Sequence, residues 1–248
     1  MSDSLAGIVL AAGAGRRLSP LTNHRPKALC PVNRVPLVDA GIARVGTVTG
    51  SIAVNVHHGR DAMLEHLGER VHVSVEAPQA LGTAGAVGAL RDWIDGRACV
   101  IVNADGWCEG GLDRLVDGWD GERVRILVPG GGPLGARSQI AGSLVPWALA
   151  RTIVAEPAGL YEAVWRDAVA ADRLETVAFD GPFVDCGTPA DYLAANLLAS
   201  GGESVVADGA RVEGTLVRSV CWEEAEVEPG EVLVDAIRFT RRATVLVR

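Results

Sequence analysis

Gly7-Ile8-Val9-Leu10-Ala11-Ala12-Gly13-Ala14-Gly15-Arg16-Arg17-Leu18 is an apolar run that ends in a glycine turn and meets two arginines at once. The apolar half reads as a short strand buried on both faces, because it shows no polar alternation. Gly13 and Gly15 then let the backbone turn sharply with its N–H groups pointing into the concavity, a shape that attracts anions. A little further on stands Lys27, the only lysine among 23 basic residues. A chain that uses arginine nearly everywhere but keeps one lysine near a glycine turn points to a site needing a compact ammonium, and hence to phosphate chemistry. With Arg16 and Arg17, Lys27 supplies enough cationic contacts to clamp a triphosphate. Two familiar phosphate motifs are excluded. The P-loop needs a lysine directly after its last glycine, and the dinucleotide fingerprint needs a third glycine where this chain has Leu18.

From this stretch to about residue 200 the pattern alternates. Strands are expected at 5–12, 52–56, 71–75, 98–103, 123–128, 140–145 and 174–179, and helices at 36–46, 60–67, 83–95, 159–171 and 189–199. The alternation predicts an α/β fold, a Rossmann-like, mostly parallel mixed sheet with helices on both faces. Ligands in such sheets gather beyond the carboxyl ends of the strands, where the glycine turn, His57 and an acidic loop at residue 105 would fall. After residue 200 the composition changes. Gly201-Gly202 reads as a linker, and Ala210-Arg-Val-Glu213 is echoed by Ala225-Glu-Val-Glu228. The expected division is therefore a catalytic domain at 1–200 and a short appendage at 201–248.

With 48% hydrophobic and 22% charged residues, the chain can bury a sizeable core. Its net charge of -8 argues against nucleic acid and anionic membrane as partners, since the cations cluster locally in an acidic background. No apolar run approaches the roughly 20 residues of a membrane span, and the polar start lacks a secretory signal, so a cytoplasmic location is expected. Five cysteines without Cys-x-x-Cys spacing disfavour a disulfide framework and a zinc site, which leaves buried free thiols. His57 and His58 are adjacent on an extended segment and would point apart. They read as loop residues at a strand end rather than as metal ligands.

Two further stretches carry chemistry. Cys99-Val-Ile-Val-Asn103-Ala-Asp105-Gly106 is an apolar strand ending in a carboxylate and a glycine, a layout that suits a metal ligand at a strand tip beside a triphosphate. Pro182-Phe-Val-Asp185-Cys-Gly-Thr-Pro189-Ala-Asp191 repeats the idea and then opens a helix through Thr188-Pro189, with Asp191 as an ordinary first-turn acid. Either aspartate taken alone is equally a turn former. Glu76-Ala-Pro-Gln-Ala-Leu81-Gly82-Thr83-Ala84-Gly85 leads into a helix start of small residues that lets a flat base approach. Glu76 offers two acceptor oxygens, a match for guanine's Watson–Crick edge but not for uracil's single N–H. The plain alternative is an exposed glutamate ending a strand.

The stretch Leu10–Thr22, with Pro26-Lys27-Ala28-Leu29 and Pro31-Val32, resembles the signature of the sugar-1-phosphate nucleotidylyltransferases, the NDP-sugar pyrophosphorylases. Leu81-Gly82-Thr83-Ala84-Gly85 is similar to the base-binding loop of the mannose-1-phosphate guanylyltransferases, which favours GTP. The resemblance implies nucleotide binding by Leu10, Ala11, Ala12, Gly13, Gly15, Gly82 and Thr83, to which Glu76 is added for its chemistry and Arg16 for its charge, although many relatives carry a small hydroxyl residue at the position of Arg16. It also implies catalytic cations at Arg17 and Lys27, sugar-phosphate binding at Gly142, and a magnesium ion on Asp105 and Asp185. The partners implied are an NTP and a sugar-1-phosphate. The C-terminal segment resembles one or two coils of the left-handed β-helix often attached to these enzymes, a route to a homo-oligomer, the alternative being a simple hairpin. One departure stands out. The family's Glu-Lys-Pro segment in the sugar half has no counterpart, since no second lysine exists, and neither Arg137 nor Arg151 sits in a matching motif. The activity implied is transfer of a nucleotidyl group from an NTP to a sugar-1-phosphate with release of pyrophosphate. The alternatives are a UTP- or CTP-using relative with another phosphorylated acceptor, and a non-catalytic subunit that binds an NDP-sugar and reports it.

Overall fold

A computed structural model of the chain describes residues 4–135 and 138–247; Arg137 lies outside the described residues. The chain divides into two compact units. One comprises Met1–Gly13 with Val38–Phe183, the other Ala14–Leu37 with Val184–Arg248, so the division falls inside the glycine turn.

The first unit is built on β1 (Leu5–Leu10), α1 (Leu37–Val45), β2 (Ile52–Val56), α2 (Arg60–Leu67), β3 (His72–Val75), α3 (Gly82–Ala89), β4 (Ala98–Asn103), β5 (Val124–Pro129), β6 (Gly142–Val145) and β7 (Leu174–Phe179). Its seven-stranded sheet runs in the order β7-β5-β6-β4-β1-β2-β3. All pairs are parallel except those of β6, which runs antiparallel to both β4 and β5. The expected mixed, mostly parallel sheet is therefore present, with element limits close to those read from the sequence. Ala6, Ile8 and Val9 of β1 are fully buried, because neighbours cover both faces of the strand. A Cβ at Gly7 would lie 2.1 Å from Val45 Cγ1, so the glycine lets α1 press directly on the central strand. The expected helix at 83–95 breaks at Leu90 into α3 and a short turn, Arg91–Ile94. The helix expected at 159–171 is a π-helical turn, Tyr161–Trp165, continuing into Arg166–Ala170.

In the second unit the helix α4 (Pro189–Ala199) begins as expected. Thr188 and Asp191 form a reciprocal capping box with proline in the first turn, which satisfies N–H groups that would otherwise have no partner. Gly201 and Gly202 adopt positive φ, and the Gly202 N–H bonds Leu197 O at 2.6 Å, so the pair ends the helix rather than serving as a slack linker. Short strands then stack in parallel. Val205–Val206 pairs with Val220–Cys221, which pairs with Ala236–Arg238; Arg211–Val212 pairs with Glu226–Val227, and Thr215–Val217 with Val232–Val234. The sequence echo becomes register, since Arg211 faces Glu226 and Val212 faces Val227. Cys221, Ala225, Val227, Leu233 and Ala236 fill the inside, giving the expected β-helix-like coil. The last strand, Thr244–Leu246, folds back antiparallel on Ala236–Arg238 and covers that edge.

Candidate active site

In the first unit the end of β1 is fixed by a polar relay. Asn55, buried within the apolar run of β2, accepts a hydrogen bond from the Ala11 N–H at 2.7 Å. Its amide Nδ2 donates to Glu76 Oε1 at 2.7 Å, and Glu76 Oε2 accepts from the Leu81 N–H at 2.7 Å. The main chain at Ala11 is thereby tied through two side chains to the loop that starts α3. The histidines after β2 complete the frame. His57 Nδ1 bonds Glu76 O and His58 Nδ1 bonds Ala12 O, both at 2.9 Å. A carbonyl only accepts, so Nδ1 carries the proton in each ring. The pair are loop residues, as expected, and they brace the glycine turn.

This geometry revises the expectation for Glu76. The residue is 3% exposed, and both carboxyl oxygens are occupied by the protein's own donors. It is a support under the loop rather than an open acceptor for a base. The small residues beside it also find their use within the chain. A Cβ at Gly82 would lie 2.6 Å from Ala158 O, and one at Gly85 2.2 Å from Glu156 O, because the segment from 154 to 158 runs against this face of α3. Thr83 joins the same contact, its Oγ1 accepting from the Leu160 N–H at 2.8 Å. Leu10 and Gly13 stand at the strand end, and the position a Gly13 Cβ would take is open space. Asp105 follows the tip of β4, and Gly142 opens β6, next to Ser143, which pairs with Ile101 of β4.

The second unit gathers the expected cations. Lys27, in the 3-10 turn Lys27–Leu29, is buried, and its Nζ lies 3.6 Å from Asp185 Oδ1. Arg17, which is exposed, approaches Asp185 Oδ2 at 3.8 Å. Asp185 Oδ1 is itself buried and makes no hydrogen bond among the described residues. The Arg17 guanidinium lies close over Gly187, where a Cβ would come within 2.9 Å of it. Gly15 is held at φ 61, and a Cβ there would press on Lys27 Cβ at 2.8 Å and Thr22 Cγ2 at 2.9 Å. The glycine of the turn and the catalytic candidate are thus in direct contact. Arg16 is exposed at the start of the adjoining turn.

On either side of Lys27 the chain is tied to later parts of the second unit, at Arg25 and at Pro31, a relation the sequence reading missed. Arg25 forms a forked pair with Glu223 at 2.8 and 3.3 Å and lies 4.1 Å over the Trp222 ring. The Trp222 Nε1 donates to Tyr192 Oη at 3.0 Å, and the Tyr192 hydroxyl in turn donates to Pro31 O. Glu223 is held below its ordinary value of 4.5, first by the hydrogen bond from Arg25. The five cysteines are free, and burial pushes the thiols of Cys30 and Cys99 up to about 12, so they are not nucleophiles.

Residues 6–128 match the family described as "Nucleotidyl transferase". The chain belongs to that family. It is 34% identical over 134 residues to the N-acetylmuramate alpha-1-phosphate uridylyltransferase of Caulobacter vibrioides, a match covering 49% of this chain and 55% of that protein. It is 29% identical over 129 residues to the low-salt glycan biosynthesis nucleotidyltransferase Agl11 of Haloferax volcanii, covering 47% of this chain and 34% of that one. The matches thus span about half, or a third, of these relatives' lengths. Among solved structures, the mannose-1-phosphate geranyltransferase of Thermus thermophilus superposes with a TM-score of 0.69 at 15% identity, covering 98% of this chain and 95% of that one. A Bacillus anthracis structure described as a putative glucose-1-phosphate thymidylyltransferase gives 0.66 at 19% identity, with 79% and 95% covered. Both share the family's fold.

Proposed function

We propose that the protein transfers a nucleotidyl group from an NTP to a sugar-1-phosphate. A phosphate oxygen of the sugar-1-phosphate attacks the α-phosphorus, the bond to the β-phosphate breaks, and pyrophosphate leaves. The observation that carries the reading is the convergence of Arg17 and Lys27 on Asp185, around a carboxyl oxygen that is buried without a hydrogen bond among the described residues. Such transfer needs positioning and neutralisation of developing charge rather than a protein nucleophile. In this scheme Lys27 meets the charge that grows on the reacting phosphoryl group, Arg17 holds the outer phosphates, and the Ala11–Asn55–Glu76–Leu81 relay keeps the main chain at the nucleotide in one conformation.

A magnesium ion suits this chemistry, and the unbonded oxygen of Asp185 is a fitting ligand for it. Among the described residues no three His, Cys, Asp or Glu side chains gather into a cluster. Asp185 and Asp105 are the residues proposed to hold it, and when bound it would neutralise the triphosphate. UTP becomes the first donor to test, on the strength of the uridylyltransferase relative and of the engagement of Glu76, with GTP as the competitor. The absence of a second lysine favours a second reading, a subunit that binds an NDP-sugar without turnover.

A pyrophosphate-release screen of four NTPs against a panel of sugar-1-phosphates, run beside calorimetry with the matching NDP-sugars, tests both. Turnover on one pair establishes the transferase. Tight NDP-sugar binding without turnover on any pair establishes the sensor.

A further inference from the structure

In the second unit Gly15 has two tasks that conflict. Its missing side chain makes room for Lys27, since a Cβ at residue 15 would lie 2.8 Å from Lys27 Cβ and 3.5 Å from Lys27 Cδ. Its backbone, at φ 61, also carries the chain into Arg16 and Arg17. Glycine passes between backbone wells at little cost, so the residue that the space demands is the one least able to hold its own conformation. The restraint has to come from elsewhere.

Thr22 supplies it through both branches of its side chain. The hydroxyl donates to Gly15 O at 3.1 Å, and the same carbonyl accepts from Leu18 N at 3.0 Å, so both of its lone pairs are engaged. A peptide unit is planar. Fixing this carbonyl therefore fixes the Arg16 N–H on the opposite side, and with it the direction in which Arg16 and Arg17 leave the turn. The methyl acts on Lys27. Thr22 Cγ2 lies 2.9 Å from the same point that Lys27 Cβ approaches at 2.8 Å, so methyl, glycine and lysine stem pack against one another. Thr22 is itself well anchored. It sits in the 3-10 turn Leu21–Asn23, where Leu21 is fully buried and the N–H groups of Asn23 and His24 bond back to Pro20 O and Leu21 O at 3.1 and 3.0 Å. A β-branched side chain is also stiff about its first torsion, which suits a hydroxyl that must point one way.

We infer that Thr22 is a positioning residue for nucleotidyl transfer. Its hydroxyl holds the Gly15–Arg16 peptide, and through it the Lys27 stem and Arg17, in the arrangement that converges on Asp185. The inference rests on the transferase reading for its substrate, and Thr22 acts through Gly15 rather than on the phosphates.

The test uses variants that remove the two branches separately. Thr22→Val keeps the branched shape and removes the donor, while Thr22→Ser keeps the donor and removes the methyl. With the best NTP and acceptor pair, Thr22→Val is expected to raise the NTP KM and lower kcat by about tenfold each, because small displacements of positioning groups cost transfer heavily. The acceptor KM should stay at the wild-type value, and Tm should fall by no more than roughly 4 °C. Thr22→Ser should recover most of both losses. Thr22→Ala removes both branches without adding bulk and takes the place of Thr22→Val if that variant does not fold. Wild-type constants in Thr22→Val, or an equal loss in Thr22→Ser, overturn the inference and leave the transferase reading intact. So does a loss shared equally by both KM values and accompanied by a large fall in Tm, the mark of a tie that only holds the chain together. If wild type turns over no pair, calorimetry with GTP and UTP takes the place of rates. Affinity weakened about tenfold in Thr22→Val and recovered in Thr22→Ser then upholds the role of Thr22 though the transferase reading has failed. Equal affinity in all variants overturns that role, and a wild type that binds neither nucleotide overturns both readings.

Discussion

Replacing Glu76 by glutamine separates a supporting role from a base-reading one. In the native relay both carboxyl oxygens of Glu76 accept, from Asn55 Nδ2 and from Leu81 N, each at 2.7 Å. Glutamine has one acceptor oxygen and one NH₂, so one of the two donors must meet another donor. Asn55 cannot turn over to help, because its own oxygen already accepts from Ala11 N. One buried N–H is therefore left unmet, at a cost of about 1–3 kcal/mol. For a chain of this size ~2 kcal/mol corresponds to a fall in Tm of roughly 4–8 °C. The slack passes to Ala11 and to the α3 loop alike, so KM should rise by a similar factor for every NTP, about tenfold for each ~1.4 kcal/mol of lost positioning. The assays are a calorimetric scan and initial rates with GTP and UTP. If Glu76→Gln keeps its Tm and instead changes the ratio of GTP to UTP efficiency by tenfold, the carboxylate reads the base and the reasoning here is wrong.

Three other outcomes are expected. Lys27→Ala should lower kcat at least a hundredfold with a smaller change in NTP KM, on the scale known for single charge-stabilising donors, and near-normal turnover would remove Lys27 from the chemistry. Asp105→Asn and Asp185→Asn should each weaken the magnesium dependence of the rate, with the double variant little worse than the poorer single one; simple additivity would place them in separate roles. The acid limb of stability should carry the Arg25–Glu223 pair. A depressed carboxyl stabilises the fold above its unfolded value of 4.5 and loses that contribution as pH falls through the folded value, so wild type should exceed Glu223→Gln at neutral pH by up to about 1 kcal/mol, with the gap closing below pH 4.5. A gap that is constant from pH 7 to pH 3 would refute this.

The centre of the sheet was legible because its strands are buried on both faces and so read as apolar runs, and α4 because its cap is written in local chemistry, in Thr188 and Asp191. The convergence of Lys27 with Asp185 had only the resemblance to suggest it, since no local pattern links residues 158 positions apart. Asn55 was missed although it left a signal: an asparagine inside Ile52-Ala-Val-Asn-Val56 has no reason to be in a buried strand unless its amide is bonded. Glu76 was misread because a glutamate after a strand looks the same in sequence whether it faces solvent or ties two loops. The glycines of α3 were read as room for a ligand when the occupant is the chain's own backbone at 154–158, and nothing in the spacing distinguishes the two.

Translation order gives the interleaving of the second unit a further meaning. The ribosome makes Arg17, Arg25 and Lys27 well before Trp222 and Glu223, the surface that Arg25 rests on, and before Phe239, against which His24 packs. The nascent chain can therefore complete β1 through β7 before Arg25, in the segment that carries Arg17 and Lys27, has Trp222 and Glu223 to settle on. A polypeptide released early, or clipped after α4, would keep every residue of the motif and lack the bed that holds it in place. The support under Arg25 therefore exists only once residues 222 and 223 have been made.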